Sequence, residues 1–289
     1  MTDLSLEHAL NLFGASLLKN GKSTNTIVAY KGDLNQLITF LKSRNILEVT
    51  SVETKHIEEF KKELTKDGYT AKSVSRKLNS IKNYFGFLKN EGMFEKDPST
   101  DIKHPKYEND APKVLLPLEY RSLRDACRND IRATAIVELM LQAGLRIKEI
   151  ENLKLDHVKT GELVIVTYES HKERSVPLNN SAETALQKYI KDSRYQTSSR
   201  HVFVTKTGRH LLARNIRSLL NRYFNKADIK KVKVNDLRNT FIAYQLKAGV
   251  PLEIVSQVSG HKRISTTEKY LELIESGKDE SKGIKLKEL

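Results

Sequence analysis

The chain has 289 residues, 38% of them hydrophobic and 30% charged, a composition typical of a globular protein with one or two folded domains. Its net charge of +14 favours a polyanionic partner, because lysines and arginines that neutralise phosphates release condensed counterions. The single cysteine, Cys127, excludes an internal disulfide and a cysteine-cluster metal site, and it is predicted to be a buried thiol. The sequence shows neither a membrane-spanning apolar run nor a signal peptide, which predicts a cytoplasmic protein without a membrane partner.

The first hundred residues contain four segments in which apolar side chains recur at helical spacing. Turn-forming residues separate several of them, for example Asn20-Gly21 and Asp67-Gly68. The apolar positions run over residues 6–18, 27–41, 57–64 and 74–88. The pattern predicts a small helical bundle over residues 1–98.

The fourth of these segments also carries basic side chains at positions that its apolar stripe leaves free. They are Lys72, Arg76, Lys77, Lys82 and Lys89. Such a face suits either a DNA groove or simple solvation. We predict DNA contacts for Lys72, Arg76 and Lys77, and for Arg214 in a later helix.

A proline-containing, charged stretch at residues 99–113 has little periodicity and is predicted to be a linker. Beyond it, the pattern predicts helices over residues 118–127, 131–142, 182–190, 213–225, 237–248 and 252–258. β-Branched runs at 163–166 and 175–178 predict a β-hairpin, to which 202–204 would add a third strand. The expected fold is therefore mainly α with a small antiparallel β-sheet, of the α+β class.

Two arginines stand in distinctive surroundings in this second region. Arg146 follows a helix-stopping Gly144 and precedes Glu149, which is placed to orient it. Arg238 enters an apolar helix, and Asn235, three residues earlier, is expected on the same side of that helix. Guanidinium groups match phosphate oxygens, although each arginine alone would also fit an ordinary surface position.

A histidine and a tyrosine follow near the end of the region. His261 comes directly after Gly260, the expected C-cap of a short helix. The spacing of Ser265 and Glu268 predicts a capping box that starts a helix carrying Tyr270, so that the positive helix end would favour a phosphate and a phenolate. A core aromatic is the alternative interpretation of Tyr270.

Taken together, these motifs resemble the tyrosine recombinase, or phage integrase, family and its Xer type in particular. The match covers residues 115–275 in order, through Ala-Gly-Leu-Arg146, Lys172-Glu-Arg-x-Val-Pro-Leu, Leu-Arg238-Asn-Thr-Phe, Ser-Gly-His261 and Ser-Thr-Thr-x-x-Tyr270. The resemblance implies site-specific DNA cleavage and rejoining through a 3′-phosphotyrosyl intermediate, without metal or cofactor. It assigns the catalytic roles to Arg146, Lys172, Asn235, Arg238, His261 and Tyr270.

Two positions depart from the family's pattern. Asn235 stands where the family generally has histidine, and it can donate a hydrogen bond but not serve as acid or base. Glu169 stands where many relatives have the catalytic lysine, three residues before Lys172. Lys172 is the predicted general acid, with His171 and Lys159 as weaker substitutes.

The resemblance also implies an organisation. Residues 1–98 would form a helical core-binding domain on DNA, 114–275 the catalytic domain, and 276–289 a tail that docks into a neighbouring protomer. The expected partner is a double-stranded recombination site, bound by a homotetramer, with an accessory protein or second recombinase as a further possibility. A type IB topoisomerase and a non-catalytic DNA-binding protein of the same fold are the alternatives.

Overall fold

The computed structural model describes residues 5–108, 110–168 and 171–273, so Glu169 and the predicted tail at 276–289 lie outside the described residues. The chain divides into two compact units that meet in sequence at Asp110. The described residues are mostly helical with one small antiparallel sheet, which confirms the predicted fold class. Within these ranges no helix combines the length and apolar composition needed to cross a membrane.

The first unit contains the four predicted helices. They are α1 (Leu6–Lys19), α2 (Thr24–Lys42), α3 (Thr54–Lys66) and α4 (Ala71–Asn90). Three begin at hydroxyl N-caps, since Ser5, Ser23 and Thr70 each accept a hydrogen bond from a backbone N–H three residues on. The apolar faces of all four helices meet in one core. The periodicity thus predicted this bundle correctly.

The basic face of α4 differs from its prediction at one position. Asp33, buried on α2, accepts hydrogen bonds from both terminal nitrogens of Arg76, from Lys77 at 3.1 Å and from Ser80 at 2.8 Å. Lys77 is only 7% exposed, so the prediction that it lies on the free face is wrong. Its ammonium pairs with a carboxylate from another helix, which spacing within α4 does not reveal. Lys72 and Arg76 do lie on the exposed side.

The second unit alternates helices with the single sheet. Its elements are α5 (Pro117–Cys127), α6 (Ile131–Gln142), α7 (Ile147–Asn152), β1 (Val158–Lys159), β2 (Glu162–Ile165), β3 (Arg174–Pro177), α8 (Asn180–Lys188), α9 (Ala213–Lys226), α10 (Val234–Lys247), α11 (Leu252–Ser259) and α12 (Ser265–Glu268). Helix α6 is buried along most of its length and lies in the core of the unit. Cys127 is buried there, as predicted.

The sheet has the order β1-β2-β3, with Leu163 of β2 opposite Val176 of β3. The predicted third strand at Val202–Val204 is wrong, because β1 takes that place and Val204 forms only an isolated bridge with His210. The segment is apolar because it is buried, and Phe203 stacks on Tyr189 with ring centroids 5.0 Å apart. A short apolar run of this kind does not by itself distinguish a strand from another buried segment.

Candidate active site

The turn between α6 and α7 places Arg146. Gly144 has a φ of +62°, and a β-carbon there would collide with the Phe241 ring, so the position requires glycine. The turn directs Leu145 into the core and leaves Arg146 as the N-cap residue of α7. The glycine before Arg146 is therefore required by the positive φ angle and by the close approach of Phe241.

Glu149 is the centre of the hydrogen-bond network around this turn. Its carboxylate is 2% exposed and accepts from five donors. These are the backbone N–H and one terminal nitrogen of Arg146, both terminal nitrogens of Arg174 and the hydroxyl of Tyr168. Burial alone would raise the pKa of Glu149, but the hydrogen bonds and charges of Arg174 and Arg146 outweigh it and hold the pKa at about 2. The carboxylate thus fixes both arginines while ionised.

The C-terminal end of α11 orders three arginines. Three consecutive backbone carbonyls each accept a hydrogen bond from a different guanidinium: Val258 from Arg174 at 2.7 Å, Ser259 from Arg238, and Gly260 from Arg146 at 2.8 Å. The last carbonyls of a helix have no partner within it and carry partial negative charge, which suits cationic donors. Gly260 ends the helix with a φ of +63°, and a β-carbon there would lie 2.8 Å from the Arg174 guanidinium.

Arg238 is the most deeply enclosed of the three. It is 3% exposed and also donates to the carbonyl of Gly144. Burial and the charge of Arg146 lower its pKa to about 9, so the side chain still carries its charge at neutral pH. Its bonds to described residues use two of five N–H donors. A buried cation with further donors favours an anionic ligand.

His261 follows directly on the α11 turn. Its Nδ1 lies 2.8 Å from the Thr267 hydroxyl. Burial and the charges of Arg238 and Arg146 lower its pKa to about 4, so the ring is neutral at pH 7. The neutral ring carries one proton: if the Thr267 hydroxyl donates to Nδ1, that proton lies on Nε2, and otherwise Nδ1 donates to the hydroxyl.

Tyr270 lies beside this cluster and is 6% exposed. Its ring packs with Phe241 and Val255, and its hydroxyl donates to Asn239 Oδ1 at 2.8 Å. The Asn239 amide group in turn donates to the Lys113 carbonyl at 3.1 Å, which fixes its orientation. Burial raises the pKa of Tyr270, although the charge of Arg238 acts in the opposite direction. The phenol is therefore protonated in this arrangement.

The predicted capping box before Tyr270 is wrong. Helix α12 begins at Ser265 with Ile264 at the N-cap, and it ends at Glu268, so Tyr270 lies in the turn after it. The backbone here closes by short-range bonds, including Tyr270 N–H to the Thr267 carbonyl at 3.0 Å. These bonds tighten the chain into a single turn, which the serine–glutamate spacing did not anticipate. The tyrosine is instead positioned by its buried ring and by Asn239.

Asn235 and Arg238 differ in exposure. Asn235 is exposed and donates to Asn239 Oδ1 at 3.1 Å, the same oxygen that accepts from Tyr270, whereas Arg238 is buried. Lys172 has an exposed side chain that lines a cleft of about 630 Å³ beside His261. Its role as general acid stays a prediction, and so do the catalytic roles of the other five residues. Four of their side chains lie together: Arg146, Arg238, His261 and Tyr270.

Two residues of the site were not predicted from the sequence. Arg174 lies within the Lys-Glu-Arg-x-Val-Pro-Leu motif, but the motif does not reveal that Arg174 pairs with Glu149. Asn239 directly follows Arg238, and nothing in its spacing predicts the contact with Tyr270. Tyr244, further along α10, is 63% exposed. Arg214 is exposed on α9, as a phosphate contact requires.

Comparisons with known proteins agree over both units. Residues 113–276 match the phage integrase family, and residues 10–92 match the phage integrase N-terminal SAM-like domain. Tyrosine recombinase XerC of Roseiflexus castenholzii is 30% identical, covering 87% of this chain and 84% of the relative. Tyrosine recombinase XerD of Staphylococcus haemolyticus is 31% identical, covering 88% and 89%. A lambda integrase tetramer bound to a Holliday junction shares the fold, with a TM-score of 0.74 at 15% identity over 90% of this chain and 78% of that one. With a family match over most of its length and relatives of this similarity, the chain belongs to the phage integrase family of tyrosine recombinases.

Proposed function

We propose that this chain is a site-specific recombinase that cleaves and rejoins double-stranded DNA through a 3′-phosphotyrosyl bond to Tyr270. The main support for the proposal is the arrangement at the C-terminal end of α11. Three backbone carbonyls there accept hydrogen bonds from Arg146, Arg174 and Arg238 and hold these arginines next to Tyr270. Among the described residues, Glu149 is the one carboxylate that pairs with these arginines, so three guanidinium groups share one ion-paired carboxylate.

The excess charge suits the transition state of phosphoryl transfer. As the phenol oxygen bonds to phosphorus, negative charge accumulates on the non-bridging oxygens. Arg146 and Arg238 are already oriented by backbone carbonyls, so they donate to those oxygens without first reorganising. His261 is neutral, and in the tautomer with its proton on Nε2 and Thr267 donating to Nδ1 it supplies a further donor.

The nucleophile must be released before it reacts. The Tyr270 hydroxyl donates a hydrogen bond to Asn239 Oδ1, and this acceptor favours the protonated phenol. Cleavage therefore requires the hydroxyl to leave Asn239, lose its proton to solvent and reach phosphorus. Asn235, which shares the same amide oxygen, would assist by occupying it.

The first unit is proposed to be the core-binding domain, over residues 1–98, with the catalytic domain over 114–275. Assembly as a homotetramer on DNA is supported by the tetrameric lambda integrase structure, and a second recombinase or accessory protein remains part of the proposal. Lys72, Arg76 and Arg214 would contact phosphates.

Removing a phosphate contact should change the salt dependence of DNA binding. Lys72→Ala and Arg214→Ala are each expected to reduce the slope of log K against log salt concentration by about 0.9, because each contact releases condensed counterions. Fluorescence anisotropy with a labelled duplex measures the slope. An unchanged slope in either variant would place that residue away from the DNA backbone.

The covalent intermediate tests the proposed function. A binding site is first selected from a pool of randomised duplexes with the Tyr270→Phe chain. Selected duplexes are then nicked at successive positions, so that cleavage next to the nick releases a short fragment and traps the enzyme. The unaltered chain is expected to give a protein–DNA adduct on a denaturing gel, and Tyr270→Phe to give none.

Tyr244→Phe is the matched control, because Tyr244 is exposed and borders a surface pocket lined by Tyr120 and Arg124; it should form the adduct normally. Binding without any adduct from the unaltered chain would favour a non-catalytic DNA-binding protein. Relaxation of a supercoiled plasmid that lacks the selected site would favour a type IB topoisomerase.

A further inference from the structure

The departing 5′ oxygen needs a proton, and Glu169 occupies the hairpin position where the resemblance to the family implies a lysine as donor. The loop between β2 and β3 closes instead through backbone bonds between Tyr168 and His171, at 2.9 and 3.2 Å. The two rings lie against each other with centroids 4.9 Å apart. Because the Tyr168 hydroxyl donates to Glu149 at 3.2 Å, one carboxylate positions this ring pair together with Arg146 and Arg174.

The imidazole of His171 borders the cleft beside His261. The cleft, of about 630 Å³, is also lined by Arg174, Gly260 and Lys262. His171 Nδ1 is buried and has no hydrogen-bond partner among the described residues. This leaves Nε2 as the ring nitrogen that a ligand in the cleft can reach. Lys172 borders the same cleft, but its side chain is exposed and no described residue holds it in place.

From this geometry we infer that His171, rather than Lys172, is the general acid that protonates the leaving 5′ oxygen. The inference rests on the proposed function. As the Tyr270 oxygen bonds to phosphorus, the bond from phosphorus to the 5′ oxygen breaks, and that oxygen takes the proton from Nε2 of the His171 imidazolium and leaves as a hydroxyl. In rejoining, the neutral imidazole takes the proton back. A group held in position is effective in such a transfer because its alignment is already set.

The charged groups around His171 make its protonation depend on DNA. The charged groups are Lys172, Glu173 and Arg174 on the hairpin, Arg146 and Glu149 at α7, and Lys262 after α11, and the neutral but titratable His261 lies beside them. Burial and the charge of Arg146 lower the pKa of His171 in the chain without DNA. A bound phosphodiester brings an opposite charge to Arg146 and Arg238, which raises the pKa again and favours the imidazolium at the moment of cleavage.

The test uses two versions of the selected, nicked duplex. One has the ordinary 5′ oxygen at the cleaved bond, and the other has sulfur there, whose leaving thiolate needs no proton. His171→Gln and His171→Ala are expected to cleave the oxygen duplex at least about 100-fold more slowly, the usual contribution of a general acid. Both should cleave the sulfur duplex at the rate of the unaltered chain. Lys172→Ala, the matched control, should affect both duplexes alike.

Each other outcome overturns the inference. Equal losses on both duplexes in the His171 variants would mean that the residue only supports the structure. Rescue of Lys172→Ala by sulfur, with none for His171, would return the role to the lysine. If the unaltered chain forms an adduct with neither duplex, the proposed function itself fails, and the two failures are thereby distinguished. A pH series adds a second readout: the oxygen rate of the unaltered chain should fall at high pH, and this fall should be absent with sulfur.

Discussion

Arg238→Lys is expected to slow adduct formation by about 100-fold or more, the usual cost of losing a preorganised donor to the transition state. Lysine keeps the positive charge but presents a single ammonium group, so it cannot donate in a plane to the carbonyls of Gly144 and Ser259 and to a phosphate oxygen at once. Single-turnover cleavage of the nicked duplex measures the rate, and anisotropy checks that binding is retained.

Arg128→Lys serves as the control for this substitution, because the Arg128 side chain is exposed and pairs only with nearby Asp125 in the described contacts. It should cleave at the normal rate. If Arg238→Lys did so too, the guanidinium would be a structural support of the α11 turn and not a transition-state donor.

Glu149→Gln is expected to destabilise the second unit by about 3 kcal/mol at neutral pH, in line with a pKa lowered from 4.5 to about 2. The variant keeps the shape of the side chain, but its NH₂ group faces arginine donors and the three cations lose their buried counter-charge. Adduct formation should fall as well, because Arg146 and Arg174 lose their fixed positions. Urea unfolding measures the stability.

The stabilisation by Glu149 should decrease as the pH falls. Because the pKa of Glu149 is lower in the folded chain than its ordinary value, the ionised group stabilises the fold fully above about pH 4.5 and progressively less as the pH falls towards 2. The difference between the unaltered chain and Glu149→Gln should therefore shrink over that window. Glu253→Gln, at an exposed position, is the matched control for the substitution. A difference that stays constant with pH would mean that the carboxylate's charge does not stabilise the fold.

Residue spacing predicted most of the helices well, because apolar periodicity and glycine or hydroxyl caps are local signals. The sequence indicated Gly144 and Gly260 as helix-ending residues. Both have positive φ angles, and the Phe241 and Arg174 side chains, respectively, leave no space for a β-carbon at these positions. The motifs also located Arg146, Arg238, His261 and Tyr270 correctly as parts of one cluster. Local pattern was sufficient wherever a residue's role depends on its own turn or helix.

Spacing within one segment did not predict side-chain contacts between residues that are far apart in the sequence. Lys77 looks like a surface cation until Asp33 of another helix is brought against it. Arg174 acquires its importance only when β3 lies beside α7 and α11, and Asn239 only when Tyr270 folds onto α10. In these cases tertiary contacts overrode the local signal. The capping box failed for a local reason, because short-range backbone bonds such as Tyr270 N–H to the Thr267 carbonyl close the chain into a single turn.

Identification of the residue that carries the DNA shows whether Tyr270 is the nucleophile. The adduct from the nicked duplex is digested with nuclease and trypsin, and the modified peptide is sequenced by mass spectrometry. We expect a 3′-linked nucleotide on Tyr270, the one tyrosine in the stretch between Arg263 and Lys278. A nucleotide on any other side chain, or one linked through its 5′ phosphate, would rule out cleavage by Tyr270 through a 3′-phosphotyrosyl bond.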